Sequence, residues 1–283
     1  MSTPHHTPRV EMLAVPDYHI AVHSVENSEG EGDLVLLHGA GVASELTWYP
    51  MLSRFSAYRR IFAVDLRGMG RSHALDLIDR PIELDQVVSD LEAVAAAFQI
   101  EATDLVGYSF GGLVSLMWNA AAPHRVNRLA LIEPALLERE SLDALRAVRA
   151  SYAQAVDSLV HHADPKLGVT AFLDLIAPKR STHPRVERMT VQRLAARPLG
   201  LAYALMAVNE AAWHVDRFAL IEAAPATLSI VGGKSPSVAH TLHQRLAETL
   251  ERWAYVAIPG VDHALPYQKP EAVADAVLAH FHR

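Results

Sequence analysis

The chain contains no cysteine among its 283 residues. This excludes disulfide bonds, a thiolate nucleophile and a thiolate-ligated metal, and it leaves the redox state of the compartment open. Positive charge is also scarce, because 25 Lys and Arg residues stand against 32 Asp and Glu residues and give a net charge of −7. Basic residues do not cluster beyond Arg59 and Arg60, so the sequence predicts no nucleic-acid partner.

Long hydrophobic runs are absent as well. No stretch approaches the roughly 18 uninterrupted apolar residues that cross a bilayer, and residues 1–9 are polar and proline-bearing, without the apolar core of a signal peptide. We therefore expect no stable membrane insertion and a cytoplasmic location. A composition of 51% hydrophobic and 20% charged residues favours one domain with a sizeable insertion that acts on a small molecule without a cofactor, and it leaves the oligomeric state open.

Short apolar runs that alternate with helical patterns indicate an α/β fold. Two runs around the turn pair Pro16-Asp17 predict a hairpin, and six further runs are compact and apolar. Such runs suit strands buried on both faces, so we predict a mostly parallel sheet of eight strands with helices on both faces. The predicted strands are Val10–Val15, Tyr18–Val25, Leu34–Leu37, Ile61–Val64, Asp104–Val106, Arg128–Ile132, Thr227–Val231 and Trp253–Ile258.

The alternation breaks between Glu133 and Ala226. Helical patterns continue there, but no convincing strand appears, and several prolines punctuate the segment. We predict a helical cap of residues 134–225, inserted between the sixth and seventh strands of a core that is formed by residues 1–133 and 226–283. A separate second domain is the alternative, although nothing resembling a linker separates it.

One serine lies in a pattern typical of a nucleophile elbow. Gly107 and Gly111 stand two residues on either side of Ser109, between a strand-like run and a helix-like run. Small residues at these positions leave room for a tight strand-to-helix turn that pushes the serine hydroxyl outward. The first turn of the helix points backbone N–H groups at the same place, which suits an oxyanion.

Further polar turns follow other predicted strands, at the sheet edge where ligands of α/β folds bind. His38-Gly39-Ala40-Gly41 follows the third strand, a D-x-R-G-x-G-x-S segment from Asp65 to Ser72 follows the fourth, and His263 follows the last. In this order, with G-x-S-x-G, these motifs resemble the capped serine hydrolases of the α/β-hydrolase superfamily. The resemblance covers nearly the whole chain and implies the fold and a serine-based acyl transfer, with no metal site.

The nucleophile needs a base, because a serine hydroxyl attacks poorly at neutral pH. Histidine can both take and return the proton. Of the sixteen histidines, His263 is the best candidate, since it follows the last predicted strand and precedes the C-terminal helix. His38 is the second choice, although the resemblance implies that its turn contributes backbone groups rather than the imidazole.

The acid of the triad departs from the commonest pattern of similar enzymes. Many of them carry an aspartate after the strand that corresponds to Thr227–Val231, where this chain has Ser235. Glu133 ends an earlier strand, directly before Pro134, and haloalkane dehalogenases and several thioesterase domains are similar in taking their acid from that strand. The sequence thus predicts Glu133 as the acid, with Asp262 as a poorer rival and a purely structural Glu133 as the alternative.

The resemblance also indicates groups around the nucleophile. Backbone N–H groups of Phe110 and Ala40 are the predicted oxyanion-hole donors. Asp65 and Arg67 are expected to brace loops. Large side chains are expected to line the substrate pocket, although such residues are more often simply core. They are Trp48, Tyr108, Phe110, Trp213 and Leu265.

Several reactions share this arrangement. Serine at position 109 distinguishes the chain from haloalkane dehalogenases and epoxide hydrolases of the same fold, which attack with an aspartate. The leading hypothesis is hydrolysis of a carboxylic ester of small to medium size and apolar character. Thioester hydrolysis, lactone opening, C–C bond cleavage and acyl transfer need the same groups and stay open, and a non-catalytic binding scaffold is less favoured.

Overall fold

A nine-stranded sheet organises the computed structural model, which describes residues 7–161, 164–180 and 183–282. The strand order is β1-β2-β4-β3-β6-β7-β8-β9, and β5 pairs with β2 outside this path. Strands β3, β4 and β6 to β9 are parallel, whereas β2 pairs antiparallel with its neighbours. The strands are β1 Arg9–Val15, β2 Tyr18–Glu26, β3 Asp33–Leu37, β4 Arg60–Val64, β5 His73–Ala74, β6 Thr103–Tyr108, β7 Val126–Ile132, β8 Ala226–Gly232 and β9 Trp253–Ile258.

The predicted count of eight strands is wrong by one. The additional strand, His73–Ala74, has two residues and pairs with Tyr18 and His19 of β2. A segment this short carries no alternation of polar and apolar residues, so a periodicity argument has nothing to detect. The other eight strands correspond to the predicted runs, and the mostly parallel α/β sheet is confirmed.

Helices cover both faces of the sheet because side chains along a buried strand alternate between faces. Leu34 and Leu36 of β3 belong to one apolar cluster, whereas Val35 and Leu37 belong to another. The helices are α1 Ser44–Trp48, α2 Leu84–Ala97, α3 Phe110–Ala121, α4 Leu142–His161, α5 Pro165–Ile176, α6 Pro184–Leu194, α7 Pro198–His214, α8 Arg217–Ala223, α9 Ser237–Thr249, α10 Leu265–Gln268 and α11 Pro270–Phe281, with 3₁₀ turns at Tyr49–Phe55 and Pro123–Arg125.

Five helices, α4 to α8, connect β7 to β8. Within the described part of this connection there is no strand. Helices α4 to α7 share an apolar cluster of their own, which includes Val156, Phe172, Leu194 and Leu201. Side chains of α7 and α8, such as Val208, also join the main core. In residues 7–161, 164–180 and 183–282, no helix has both the length and the apolar character that a membrane crossing requires.

Candidate active site

Ser109 lies in a strained turn between β6 and α3. Its φ of 51° and ψ of −112° place it in a backbone conformation that L-residues adopt rarely. A Cβ at Gly107 would lie 2.3 Å from Ser115 Oγ, and one at Gly111 would lie 2.4 Å from the carbonyl oxygen of Leu37. Glycine is therefore required at both positions, and the predicted elbow is present in the structure.

Backbone hydrogen bonds fix the end of β7 against this elbow. The Ser109 N–H donates to the Ile132 carbonyl at 2.9 Å, and the Ala135 N–H donates to the Ser109 carbonyl at 3.0 Å. Between these contacts, Glu133 has a φ of 42° and donates its N–H to Ile230 of β8 at 3.0 Å. The residue directly after β7 is thereby held beside both the elbow and the neighbouring strand.

The structure brings together the three residues that the sequence predicts as a triad. His263 Nε2 lies 3.2 Å from Ser109 Oγ, and His263 Nδ1 lies 2.7 Å from Glu133 Oε2. Because a carboxylate only accepts hydrogen bonds, Nδ1 carries the hydrogen and Nε2 is left to accept from the serine hydroxyl. This is the tautomer in which a histidine serves as general base.

Glu133 is held by further donors through its second oxygen. Oε1 accepts the Gly232 N–H at 2.7 Å and the Ser235 hydroxyl at 2.5 Å. Burial by itself raises the pKa of Glu133. The hydrogen bond and the charge of His263, followed by the hydrogen bonds from Ser235 and Gly232, outweigh burial and hold the pKa below its usual value. The carboxylate is therefore kept charged beside the imidazole.

Sequence reasoning treated Ser235 only as the residue that replaces the commoner acid and missed its contact with Glu133. The signal was the parallel pairing of β7 with β8, in which Ile132 lies opposite Ile230. Strand ends that are neighbours in a sheet place their following residues together. The hydroxyl at the usual acid position thus donates to the acid from the adjacent strand.

The two alternative candidates from the sequence, Asp262 for the acid and His38 for the base, make other contacts. Asp262 Oδ1 accepts hydrogen bonds from the Ala264 N–H and the Gln268 side-chain amide, both at 2.9 Å. His38 is fully buried, which lowers its pKa; its Nδ1 donates to the Gly39 carbonyl at 2.8 Å, and its Nε2 accepts the Leu66 N–H at 3.0 Å. Both ring nitrogens of His38 therefore bind backbone groups, and the Asp262 carboxylate binds one backbone N–H and one side-chain amide.

Asp65 and Arg67 make buried loop contacts. Asp65 accepts the N–H groups of Ser44 and Arg71, each at 2.8 Å, and contacts His23 Nε2 at 3.0 Å. Burial raises the pKa of Asp65, but the His23 hydrogen bond and the charges of nearby histidines dominate and lower it to about 2. Arg67 binds Asp90 through two hydrogen bonds of 2.8 and 2.9 Å. Among the described residues, no group of His, Asp and Glu is arranged to hold a metal.

The predicted oxyanion donors lie on either side of Ser109 in the fold. Phe110 is the first residue of α3, and its side chain is buried in the core. Ala40 lies in the turn after β3 and lines the cavity next to Ser109. The His38 carbonyl accepts the Gly111 N–H at 3.1 Å, which ties this turn to the start of α3.

A cavity of about 280 Å³ opens in front of Ser109. Its walls come from the turn after β3, from α5 and α6, and from the segment after β9, and they are mostly apolar. The lining residues are Gly39, Ala40, Val42, Leu46, Tyr108, Ser109, Phe172, Leu173, Ile176, Ala177, Val186, Met189, Thr190, Arg193, Leu194, His263, Ala264, Tyr267 and Gln268.

Of the large side chains expected to line the pocket, Tyr108 does so and also supports His263. Its hydroxyl donates to the His263 carbonyl at 3.0 Å, and the two ring centroids lie 5.3 Å apart. The structure places Trp48, Phe110, Trp213 and Leu265 outside this cavity, since none is among the described residues that line it.

These four residues have different environments, and Phe110 belongs to the main apolar core. Trp48 and Leu265 are fully buried in the apolar cluster beneath the sheet. Trp213 is 59% exposed, and the Arg146 guanidinium lies 4.6 Å from its ring centroid. Hydrophobicity predicts that a side chain is buried, but it does not distinguish a core from a cavity wall. The apolar residues of α5 and α6 that form the wall were missed for the same reason.

One known protein family matches most of this chain. A model described as the Alpha/beta hydrolase family matches residues 34–276. The chain belongs to this family.

Two curated relatives match this alpha/beta hydrolase over part of its length. 2-Hydroxy-6-oxo-2,4-heptadienoate hydrolase of Pseudomonas putida is 35% identical over 117 residues, which cover 41% of this chain and 42% of the relative. Pimeloyl-[acyl-carrier protein] methyl ester esterase of Aliivibrio salmonicida is 36% identical over 106 residues, 37% of each chain.

A solved structure extends the likeness to the whole fold. The enol-lactonase from Burkholderia xenovorans LB400 has a TM-score of 0.74 and 20% identity, and the match covers 96% of this chain and 100% of the lactonase. At this identity the comparison shows the alpha/beta hydrolase fold alone. The chain spans about two fifths of the length of these two curated relatives.

Proposed function

We propose that this alpha/beta hydrolase is a serine hydrolase that cleaves carboxylic esters through an acyl-enzyme on Ser109, with His263 as base and Glu133 as acid. The observation that carries the proposal is the continuous hydrogen-bonded series from Glu133 through His263 to Ser109, with distances of 2.7 and 3.2 Å. The serine faces the apolar cavity.

The first half of the reaction follows from this geometry. Ser109 Oγ attacks the ester carbonyl while His263 Nε2 takes its proton, and the Glu133 carboxylate stabilises the imidazolium. The oxyanion accepts hydrogen bonds from the N–H groups of Phe110 and Ala40, each of the kind whose loss costs about 2.7–4 kcal/mol. His263 then protonates the departing alkoxide, and Ser109 is left acylated.

The cavity supports a substrate of small to medium size. Its volume of about 280 Å³ lies near the lower end of the roughly 300–1,000 Å³ typical of small-molecule sites. Its walls are mostly apolar, and Thr190, Arg193 and Gln268 add polar groups. A short, apolar acyl or alcohol group fits this surface best.

The large share of the cavity wall that α5 and α6 supply supports residues 134–225 as a cap over the site. Thioesters, lactones and C–C bonds are attacked by the same groups, and the matched relatives have names that include a heptadienoate hydrolase and a methyl ester esterase. An uncharged ester is the primary candidate because the lining near Ser109 is apolar.

Covalent labelling tests the proposal. A fluorophosphonate should add to the purified protein at Ser109 within the tryptic peptide that carries it, as read by mass spectrometry. Ser109→Ala should abolish the label and lower hydrolysis of p-nitrophenyl butyrate by roughly a thousandfold or more, while the circular dichroism spectrum is unchanged. If Ser109→Ala hydrolyses the ester as fast as the parent protein, Ser109 is not the nucleophile. A panel of esters, thioesters and lactones then ranks the substrates.

A further inference from the structure

His263 stands in a loop outside regular secondary structure. Strand β9 ends at Ile258 and α10 begins at Leu265, so residues 259–264 form the connection between them. Peptide groups in such a loop have no strand or helix partners and need other hydrogen bonds to be fixed. The imidazole therefore keeps its alignment with Ser109 only as far as the backbone around it is held by side chains.

Two side chains hold the backbone on both sides of His263. The Asp262 N–H donates to Gln268 Oε1 at 3.0 Å, and the Ala264 N–H donates to Asp262 Oδ1 at 2.9 Å. Gln268 Nε2 also donates to Asp262 Oδ1 at 2.9 Å, which joins the two side chains to each other. The residue before His263 and the residue after it are thus both bound by this pair, which we call the Asp262–Gln268 clamp.

The same loop is held from the two neighbouring parts of the site. The Tyr108 hydroxyl donates to the His263 carbonyl at 3.0 Å. A Cβ at Gly232 would lie 2.5 Å from the Asp262 carbonyl oxygen, so the end of β8 packs directly against the clamp. The Gly232 N–H also donates to Glu133 Oε1 at 2.7 Å. The clamp therefore lies against the residue that holds the acid.

The chemistry of the clamp requires an acceptor at position 262, but not a charge. Asp262 is 3% exposed, and its Oδ1 accepts both hydrogen bonds. An amide oxygen can accept the same two bonds. This distinguishes Asp262 from Glu133, whose charge stabilises the imidazolium in the proposed mechanism.

We infer that Asp262 and Gln268 are positioning residues, which align His263 Nε2 with Ser109 Oγ through the hydrogen bonds of the clamp. The inference rests on the proposed function. Loss of the clamp frees the backbone on both sides of the imidazole, whose Nε2 lies 3.2 Å from Ser109 Oγ. A displacement of about 1 Å at a reacting group costs on the order of a hundredfold in rate, so even a partial loss of alignment lowers kcat.

An exchange of amide and carboxylate between the two positions tests this inference. Gln268→Glu removes the amide donor and places a second carboxylate against Asp262, so kcat for p-nitrophenyl butyrate should fall at least tenfold and KM should change less. Asp262→Asn should keep kcat within about fivefold of the parent. In the double variant Asp262→Asn/Gln268→Glu, the new amide at position 262 donates to the new carboxylate at position 268. Its kcat should recover to within about fivefold of the parent.

Gln244→Glu is the matched control, because it makes the same substitution on the exposed face of α9, outside the cavity lining. Its kcat should equal that of the parent. If Gln268→Glu does not fold, Gln268→Ala removes the same hydrogen bonds without adding charge and should also lower kcat at least tenfold. Circular dichroism establishes that each variant is folded.

Two results would overturn the clamp. One is a kcat within twofold of the parent in a folded Gln268→Glu or Gln268→Ala variant. The other is a folded double variant that is no more active than Gln268→Glu. By contrast, a parent protein that neither hydrolyses esters nor is labelled at Ser109 by a fluorophosphonate would overturn the proposed function itself.

Discussion

In the proposed mechanism Glu133 is the unusual residue, because it supplies the acid from the end of β7 rather than of β8. Glu133→Gln keeps the shape of the side chain and removes its charge. We expect kcat to fall by on the order of a hundredfold to ten-thousandfold, as when the acid of a serine triad is neutralised. Steady-state kinetics with an activated ester measure this loss.

The comparison with Asp262→Asn decides between the two candidate acids. Asp262 contacts Ala264 and Gln268, so its amide variant should retain far more activity than Glu133→Gln. A nearly normal Glu133→Gln together with an inactive Asp262→Asn would show that Asp262 is the acid instead.

Ser235 should contribute to kcat although its side chain is uncharged. Its hydroxyl donates to Glu133 Oε1, and hydrogen bonds to charged groups contribute about 1.5–3 kcal/mol. Ser235→Ala leaves the Gly232 N–H on that oxygen, so we expect kcat to fall on the order of tenfold, less than in Glu133→Gln. A kcat within twofold of the parent would show that Gly232 and His263 suffice to orient the acid.

At the scale of elements, α5 and α6 form a wall that limits the substrate. Phe172→Ala removes a ring from this wall, so the ratio of kcat/KM for p-nitrophenyl octanoate to that for the butyrate should rise at least fivefold. Leu167→Ala, on the exposed face of the same helix and outside the cavity lining, is the control and should leave the ratio unchanged. If this kcat/KM ratio is the same in Phe172→Ala as in Leu167→Ala, α5 does not limit the length of the substrate's acyl chain.

The same helices should open more readily than the sheet. Helices α5 and α6 pack in a small apolar cluster apart from the main core, whereas β3 and β6 are buried on both faces. Amide hydrogen exchange should be faster in α5 and α6 than in β3 and β6, and a bound phosphonate should slow it. Exchange in α5 as slow as in β6, with no response to the phosphonate, would contradict a mobile cap.

The sequence predicts those parts of the molecule that depend on local pattern. The elbow at Ser109 and the histidine after the last strand are recognisable because tight turns and strand ends leave glycines and polar residues in order along the chain. The bond between Ser235 and Glu133, the cavity wall and the two-residue strand His73–Ala74 were not predictable. Each depends on which distant segments meet in space, and no periodicity records that.

For the whole molecule, acid should destabilise the fold in two steps. Burial lowers the pKa of His243 to about 4, so between its ordinary value and pH 4 the unfolded chain binds a proton that the native protein does not. Below pH 4, the lowered pKa of Asp65, about 2, has the same effect. Each step, complete near pH 4 for His243 and near pH 2 for Asp65, should remove on the order of 2–3 kcal/mol from the free energy of unfolding, measured by urea denaturation from pH 7 to pH 2.

Two variants test whether His243 and Asp65 cause these two steps. His243→Gln should flatten the dependence between pH 6.5 and pH 4, and Asp65→Asn should flatten it below pH 4, although both variants are less stable at pH 7 because they disturb buried hydrogen bonds. If the free energy of unfolding of His243→Gln falls between pH 6.5 and pH 4 as steeply as that of the parent, groups other than His243 cause this step.

The backbone hydrogen bonds that join the elbow to the end of β7 separate the proposed triad from the helices that bound the cavity. Ser109 and Glu133 are tied to each other through Ile132 and Ala135, all before α4 begins. The two residues therefore keep their spacing whatever helices follow. We expect insertions, deletions or exchange of helices in α4 to α7 to change which substrates bind while the reaction at Ser109 is retained.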